Sequence, residues 1–495
     1  MTDYRKENGN GGTVSPEREV REAEVEGAAG NGADSQQAIG PLSSGHKDIF
    51  NKCLAFTEAK QVQDLGLYPY FRAIEGAFGN QVIVGGRRKI MVGSNNYLGL
   101  AQDERVIEAS QAAARKYGSG CTGSRFLSGT LRLHEQLEAE IADVLQRESV
   151  LLFSTGFFAN IGALQTLLED GDFILCDREN HASIVDGCRM SKAKTVPYSH
   201  NSKDALRRRL NRIPKEAGKL IIVDGVFSMS GDIVNLPEII EVAREYGARV
   251  YVDEAHALGV LGKRGEGTVH HFGVNNDVDL VMGTFSKSLG SMGGFLAGPK
   301  FVIDYLKHKA RCFIFTASLA PSVTGGVLKA LQIMREEPQR MDDLWRNTRK
   351  MHEGFRSIGF NIGTTQTPIT PLLIGSEMKA FLFSQKLFDA GIFTTPAVYP
   401  AVRYGEAIVR TSYMATHTDE ELDYVLETCE RVGKELNIFD EAAYTGETRK
   451  KFSNGYDFEL PGQAKSEDVR EGSGNDSPER SVLRAPVSGE HLQDI

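Results

Sequence analysis

No cysteine in this 495-residue sequence stands in a C-x-x-C pair; the six present, Cys53, Cys121, Cys176, Cys188, Cys312 and Cys429, are scattered along it. That spacing speaks against a zinc ribbon and a disulfide framework, and it points to a reducing, cytoplasmic setting. No apolar run is long enough to span a bilayer, so no crossing is expected, while a peripheral contact with an inner membrane stays open. The opening MTDYRKENGNGGTVSPEREV lacks the apolar stretch of a secretory signal. There is no internal repeat, and GTFSKS does not have the G-x-x-x-x-G-K-S/T spacing of a Walker-type phosphate loop. Excess positive charge is also missing. Residues 1–45 carry eight acidic and four basic side chains and residues 440–495 carry twelve and seven, which accounts for the whole net charge of −9. The body between is formally neutral, so nothing in the charge balance suggests a nucleic-acid partner.

The two ends are rich in Gly, Ser, Asn, Glu and Pro and poor in large apolar residues, so 1–45 and 440–495 are expected to be disordered acidic tails. The rest divides into an N-terminal arm (46–100), a large domain (101–335) and a small C-terminal domain (336–439). In the large domain, apolar runs alternate with amphipathic helices: VLLFS (150–154), FILCD (173–177), KLIIVDGVFS (219–228), RVYVDEA (249–255), DLVMGTFS (279–286) and GGFLAGP (293–299). This alternation predicts an α/β fold whose mostly parallel central sheet carries helices on both faces. From about residue 340 the pattern loosens, with TPITPLLIG, GIFTTPAV and AIVRTSY as strands beside two helices, which predicts a smaller α+β domain.

GSGCTG (118–123) satisfies G-x-G-x-x-G, the pattern of dinucleotide-binding turns. That chemistry needs a strand feeding the glycines. Here DERVIEASQAAARKYG precedes them with helical spacing and TLRLHEQLEAEIADVL follows, so the glycines lie in a helix–loop–helix and serve a tight bend or a close approach.

Ligands in such sheets collect beyond the carboxyl ends of the strands. Predicted there are Asp253 and His256 (YVDEAHALG), Thr284, Ser286 and Lys287 (GTFSKS), His181 (CDRENHAS), Ser228 (IIVDGVFS) and Gly156-Phe157, which open a helix. Taken alone, Asp253 could cap a turn and Lys287 could be a solvated loop lysine. Together they fit pyridoxal phosphate. The amine binds its aldehyde, a carboxylate keeps the pyridine nitrogen protonated, an imidazole packs on the ring, and hydroxyls with a helix N-terminus hold the phosphate. No metal is called for.

Over residues 65–435, GSNNYLGL, YGSGCTGSRFLSGTLRLHEQLE, NHASIVDG, DGVFSMSGDI, DEAHALGVLG, GTFSKSLGSMGGF and IVRTSYMATHTDEEL resemble, in order and spacing, the α-oxoamine synthase family of fold-type I pyridoxal-phosphate enzymes. GLYPYFRAIEG, the serine before Lys287, FIFTASLAPS and TSYMATHT resemble the bacterial serine palmitoyltransferase branch most, while Ser230 stands where many relatives have aspartate. The resemblance implies that Lys287 carries the cofactor and moves protons, Asp253 pairs with the pyridine nitrogen, His256 bonds the ring phenolic oxygen, and His181 stacks on the ring and helps place the amino-acid carboxylate. Thr284, Ser286, Ser228, Gly156 and Phe157 would hold the phosphate or ring oxygen, Arg410 the substrate carboxylate, and Asn95 would lie near the reacting carbonyl. Thr316 resembles the residue that reaches the phosphate from a second subunit, which implies a homodimer with shared active sites and makes GSGCTGSR an interface loop.

The implied reaction is a decarboxylating condensation of L-serine with palmitoyl-CoA, or another long-chain acyl-CoA or acyl carrier protein, to 3-ketosphinganine, the first step of sphingolipid synthesis. The alternatives are a glycine C-acetyltransferase, an 8-amino-7-oxononanoate synthase, a non-catalytic regulatory subunit, which would lack Lys287, and a scaffold acting through its tails. Arg87, Arg88 and Lys89 are either contacts to a CoA phosphate or a solvated hairpin turn.

Overall fold

A computed structural model describes residues 48–439, so both expected tails lie outside the described residues. The chain divides into one unit up to Leu65 and another from Gly66 onward. Described in the first are two short helices, Asn51–Leu54 and Glu58–Asp64, with Ile49, Phe50, Leu54 and Phe56 exposed. The second unit holds everything that follows.

Its strands, in chain order, are β1 (Gly76–Phe78), β2 (Gln81–Val84), β3 (Arg87–Met91), β4 (Ser149–Phe153), β5 (Phe173–Asp177), β6 (Lys194–Tyr198) and β7 (Lys219–Asp224). They continue as β8 (Arg249–Asp253), β9 (Leu280–Thr284), β10 (Gly294–Gly298), β11 (Ile369–Gly375), β12 (Ile392–Phe393), β13 (Thr395–Ala397) and β14 (Ala407–Ser412). Seven of them form the central sheet in the order β4-β10-β9-β8-β7-β5-β6, parallel except for β10, which runs against both its neighbours. The connection 285–293 has no helix to carry the chain back across the sheet, so β10 must return antiparallel beside β9.

Every residue of β7 is buried, because both faces of the sheet are covered. Leu220 and Ile222 enter one apolar core with Leu164 of the helix Gly156–Leu167, and Ile221 and Val223 enter the other with Leu236 and Ile240 of the helix Leu236–Tyr246. Near-continuous apolar sequence is the direct result. The architecture is the α/β one the sequence predicts, a mostly parallel sheet covered by helices on both faces, with a smaller domain at the C-terminal end.

In that smaller domain β11, β14 and β13 form an antiparallel sheet, and Met351, Phe355, Phe383, Leu422 and Val425 from its helices pack together as its core. Within the segment read as an N-terminal arm, β3 pairs in parallel with β12, and Val92 enters the same C-terminal core. A partner three hundred residues away leaves no local signal. Residues 87–89 form one side of a hairpin whose turn is Gly85-Gly86, both at positive φ. Arg87 and Arg88 are exposed, whereas Lys89 is turned inward, its Nζ donating to the Phe388 carbonyl at 2.7 Å and standing 3.9 Å above that ring.

The glycine-rich stretch is a loop between the helices Glu104–Tyr117 and Arg132–Leu145, and the first helix ends at Gly118 with φ 92°. No strand feeds it; Ser124 makes an isolated bridge to Ala317. Gly129 is required by close approach, since a Cβ there would lie 2.2 Å from the Gly123 carbonyl oxygen.

Candidate active site

Adjacent parallel strands bring two carboxyl groups side by side, for Asp224 at the end of β7 is in register with Asp253 at the end of β8. Their surroundings differ. Asp253 accepts from Asn160 Nδ2 at 2.8 Å and from the Ala255 amide at 2.9 Å. The Asn160 amide is oriented by Tyr251, whose hydroxyl donates to Asn160 Oδ1 at 2.7 Å, so its NH2 faces Asp253 and Ser183. Asp224 accepts the His181 amide on Oδ2 at 3.0 Å, and its buried Oδ1 has no partner among the described residues. Burial first, and then the neighbouring Asp253, push the Asp224 carboxyl well above the usual range. Of the two, Asp253 has both carboxylate oxygens hydrogen-bonded, whereas Asp224 keeps its proton more tightly than an ordinary carboxyl.

Lys287 follows β9 and is hemmed in by the same groups. Loss of water around the amine pulls its pKa down to about 8, with Arg410 acting in the same sense and Asp253 and Asp224 opposing. At neutral pH such an amine releases its proton far more readily than a surface lysine does.

The two histidines are held as neutral rings in defined tautomers. His181 caps the helix Ala182–Met190, its Nδ1 accepting the Ser183 amide at 3.2 Å, so its remaining proton is on Nε2. Burial lowers its pKa, Lys287 adds to the effect and Asp253 opposes it. His256 is buried, and burial, followed by Lys287, Arg410 and His181, holds it well below the ordinary value. Its Nδ1 lies 2.7 Å from the Tyr97 hydroxyl. Burial pushes that phenol up to about 12, so it stays protonated, donates to Nδ1 and leaves Nε2 of His256 as the donor.

Arg410 on β14 reaches across from the smaller domain, Nε donating to the Ser228 carbonyl at 2.7 Å and Nη2 to Asn95 Oδ1 at 2.9 Å. At the end of β9, Thr284 Oγ1 donates to the Gly293 carbonyl at 2.8 Å and lies 2.9 Å from Ser286 Oγ. Gly156 is pressed against Thr284: a Cβ there would lie 3.1 Å from both Thr284 Cβ and Oγ1. The first amides of an α-helix have no partner within the helix. Thr155 takes that of Phe158 at 3.1 Å, which leaves those of Gly156 and Phe157 beside the two hydroxyls. That corner suits a phosphate dianion.

Strand ends and contacts thus bring together Lys287, Asp253, His181, His256, Arg410, Asn95 and Ser228, with Thr284, Ser286, Gly156 and Phe157 as a second group. Thr316 lines a small cavity with Ser154 and Arg125. Three participants escaped the sequence reading. Asp224 ends KLIIVD as Asp253 ends RVYVD, a signal that was available; Tyr97, inside GSNNYLGL, and Asn160 had none, since their partners are 159 and 93 residues away. The donor set suits pyridoxal phosphate: an amine for the aldehyde, a carboxylate for the ring nitrogen, an imidazole for the ring face, and hydroxyls with free amides for the phosphate.

Comparison with known proteins agrees. Over 383 residues the chain is 48% identical to a serine palmitoyltransferase of Sphingobacterium spiritivorum, covering 77% of this chain and 96% of that one. It is 43% identical to an 8-amino-7-oxononanoate synthase of Symbiobacterium thermophilum, covering 77% and 97%. Among solved structures, Sphingomonas wittichii serine palmitoyltransferase superposes with a TM-score of 0.77 at 36% identity, covering 79% of this chain and all (100%) of that one. A variant of the S. paucimobilis serine palmitoyltransferase with bound PLP gives 0.77 at 34% identity, again covering 79% and 100%. The sequence pattern of "Aminotransferase class I and II" matches residues 87–428. That match spans more than half of the chain, and the chain belongs to the aminotransferase class I and II family.

Proposed function

We propose that the protein is a pyridoxal-phosphate-dependent acyltransferase that condenses L-serine with a long-chain acyl thioester such as palmitoyl-CoA, releasing carbon dioxide and the free thiol and forming 3-ketosphinganine. The observation that carries the chemistry is Lys287, an amine with its pKa drawn down to about 8 beside Asp253. The choice of serine and a long acyl chain rests on the serine palmitoyltransferases at 48% identity.

Pyridoxal phosphate, when bound, supplies an aldehyde for the substrate amine and a ring that spreads the electrons left at Cα. Lys287 would bind it and, once free, move the proton between Cα and its own Nζ. Asp253, oriented by Asn160 and the Ala255 amide, would hold the ring nitrogen's proton. Nε2 of His256 would donate to the ring oxygen and His181 would pack on the ring face. Thr284, Ser286, Ser228, Gly156 and Phe157 would anchor the phosphate or ring oxygen. Arg410 would take the amino-acid carboxylate with Asn95 beside it, fixing which Cα bond can break.

A homodimer supplies the remainder, with Thr316 of one subunit serving the site of the other. Phe126, Leu127, Phe157, Met292 and Phe315 are exposed apolar side chains on and near the glycine-rich loop and the Thr316 segment, as a shared interface would need. All six cysteines are free, which supports the cytoplasm as the location, with a peripheral contact at the inner membrane. No helix of the described residues is long and apolar enough to cross a membrane.

A second reading, 8-amino-7-oxononanoate synthase, is favoured by relatives at 43% identity. A turnover assay pairing serine, glycine and alanine with short and long acyl-CoAs separates the two. Serine with long chains should be turned over fastest, and faster turnover of alanine or glycine with short chains would sink the first reading.

A further inference from the structure

Outside the groups already assigned, His200 stands among three carboxylates. It follows β6, and its Nδ1 lies 3.0 Å from Oδ1 of Asp177, the fully buried carboxylate that ends β5. On the other side Nε2 stands 3.5 Å from Asp232 Oδ2 and 3.8 Å from Glu179 Oε2, and the ring sits edge-on to Phe227 at 4.3 Å. Behind Glu179 stands Arg403, at 3.2 Å. An imidazole among three carboxylates and one guanidinium is held charged. Burial opposes the charge, but the hydrogen bond to Asp177 and the nearby Asp232 carboxylate outweigh it and push the pKa up to about 10.

The importance of His200 lies in what Asp232 belongs to. Phe227 and Asp232 close a tight turn, the Phe227 amide donating to the Asp232 carbonyl at 3.0 Å and the Gly231 amide to the Phe227 carbonyl at 2.9 Å. Thr364 binds Asp232 Oδ1 at 2.6 Å and Thr367 binds the Gly231 carbonyl at 3.0 Å, so the smaller domain clamps the turn from one side while His200 holds it from the other. Next door, Asn201 ties Asp177 to Ile233 through bonds of 2.7 and 3.0 Å. Inside this turn sits Ser228, whose carbonyl takes Nε of Arg410 at 2.7 Å.

We propose that His200 is a positioning residue for the amino-acid substrate: standing between Asp177 and Asp232 it sets the Phe227–Asp232 turn, and through the Ser228 carbonyl the turn aims Arg410. The inference rests on the reading of Arg410 as the carboxylate-binding arm. His200 is not among the residues assigned to hold substrate or cofactor, so its loss should weaken one substrate and leave the other alone.

The test uses full-length holoenzyme carrying His200→Gln and, separately, Asp232→Asn. For each, kcat and both KM values are measured, and amino-acid Kd is read from the absorbance change of the bound cofactor. Expected is a rise of about tenfold in KM and Kd for the amino acid, with the acyl-thioester KM changed less than about twofold. In an Arg410→Lys background, His200→Gln should add less than about twofold, because both act through one arm. Native protein should also lose amino-acid affinity as His200 gives up its proton above about pH 10, and His200→Gln should lack that loss. An unchanged amino-acid KM, an equal shift in both substrates' constants, or a full His200 effect without Arg410 would each overturn the proposal. If His200→Gln does not fold, Asp232→Asn decides by the same readings. The comparison uses whichever amino acid the native enzyme turns over, so an error over serine would appear in the native assay and leave this test standing.

Discussion

Lys287 offers a direct physical test because its predicted behaviour needs no substrate. The pKa of its amine falls from 10.5 to about 8, chiefly because the protein excludes water around it. At pH 7.5 an amine with a midpoint of 8 is about one quarter neutral, against about one thousandth for an ordinary lysine, an excess of roughly two hundredfold. Competitive labelling of the cofactor-free protein with a trace of a small acylating reagent, followed by peptide mass spectrometry over a range of pH, should give that midpoint. Exposed Lys60 and Lys434 serve as internal references. Restricted access slows labelling of Lys287 at every pH, so the midpoint and not the rate is the observable. Asp253→Asn should lower the midpoint further, since Asp253 gives the strongest opposing pull. The linkage sign follows: between about pH 8 and 10.5 the unfolded chain holds more protons at this lysine than the folded one, so this group makes stability rise with pH over that window. A Lys287 midpoint at or above that of the surface lysines would refute the electrostatic account of the site.

Two further outcomes follow from backbone packing. Gly231 has φ +74°, and a Cβ there would lie 2.2 Å from Thr365 Oγ1 and 2.6 Å from the Ile369 carbonyl, so Gly231→Ala should destabilise the fold by about 3 kcal/mol in denaturant titration. Gly247→Ala is the control, with φ +63° but nothing within 4 Å of a Cβ, and should cost only about 1 kcal/mol; equal losses would show that crowding at Gly231 is unimportant. Gly156→Ala crowds Thr284 at 3.1 Å and should weaken pyridoxal-phosphate affinity about tenfold with the melting temperature of the cofactor-free protein little changed, measured by cofactor titration.

How much of this was legible in the amino acids follows from where each signal is stored. Strands β5, β7, β8, β9 and β10 could be read because a strand covered on both faces is apolar throughout, and the chain carries that pattern whatever its neighbours are. Lys287, Asp253 and His256 could be read as candidates because strand ends in such a sheet are where polar side chains collect. Strand β6 could not: KTVPY lies at the sheet edge, largely exposed, with a proline at its fourth position. Nor could the joining of β3 to β12, or the inward turn of Lys89, since both depend on segments some three hundred residues away. The tautomer of His256, the difference between Asp224 and Asp253, and the contacts of His200 were likewise decided only in three dimensions. Periodicity records how each segment meets the core, whereas protonation and aim depend on which distant groups stand within hydrogen-bonding reach, and only the folded chain brings those together.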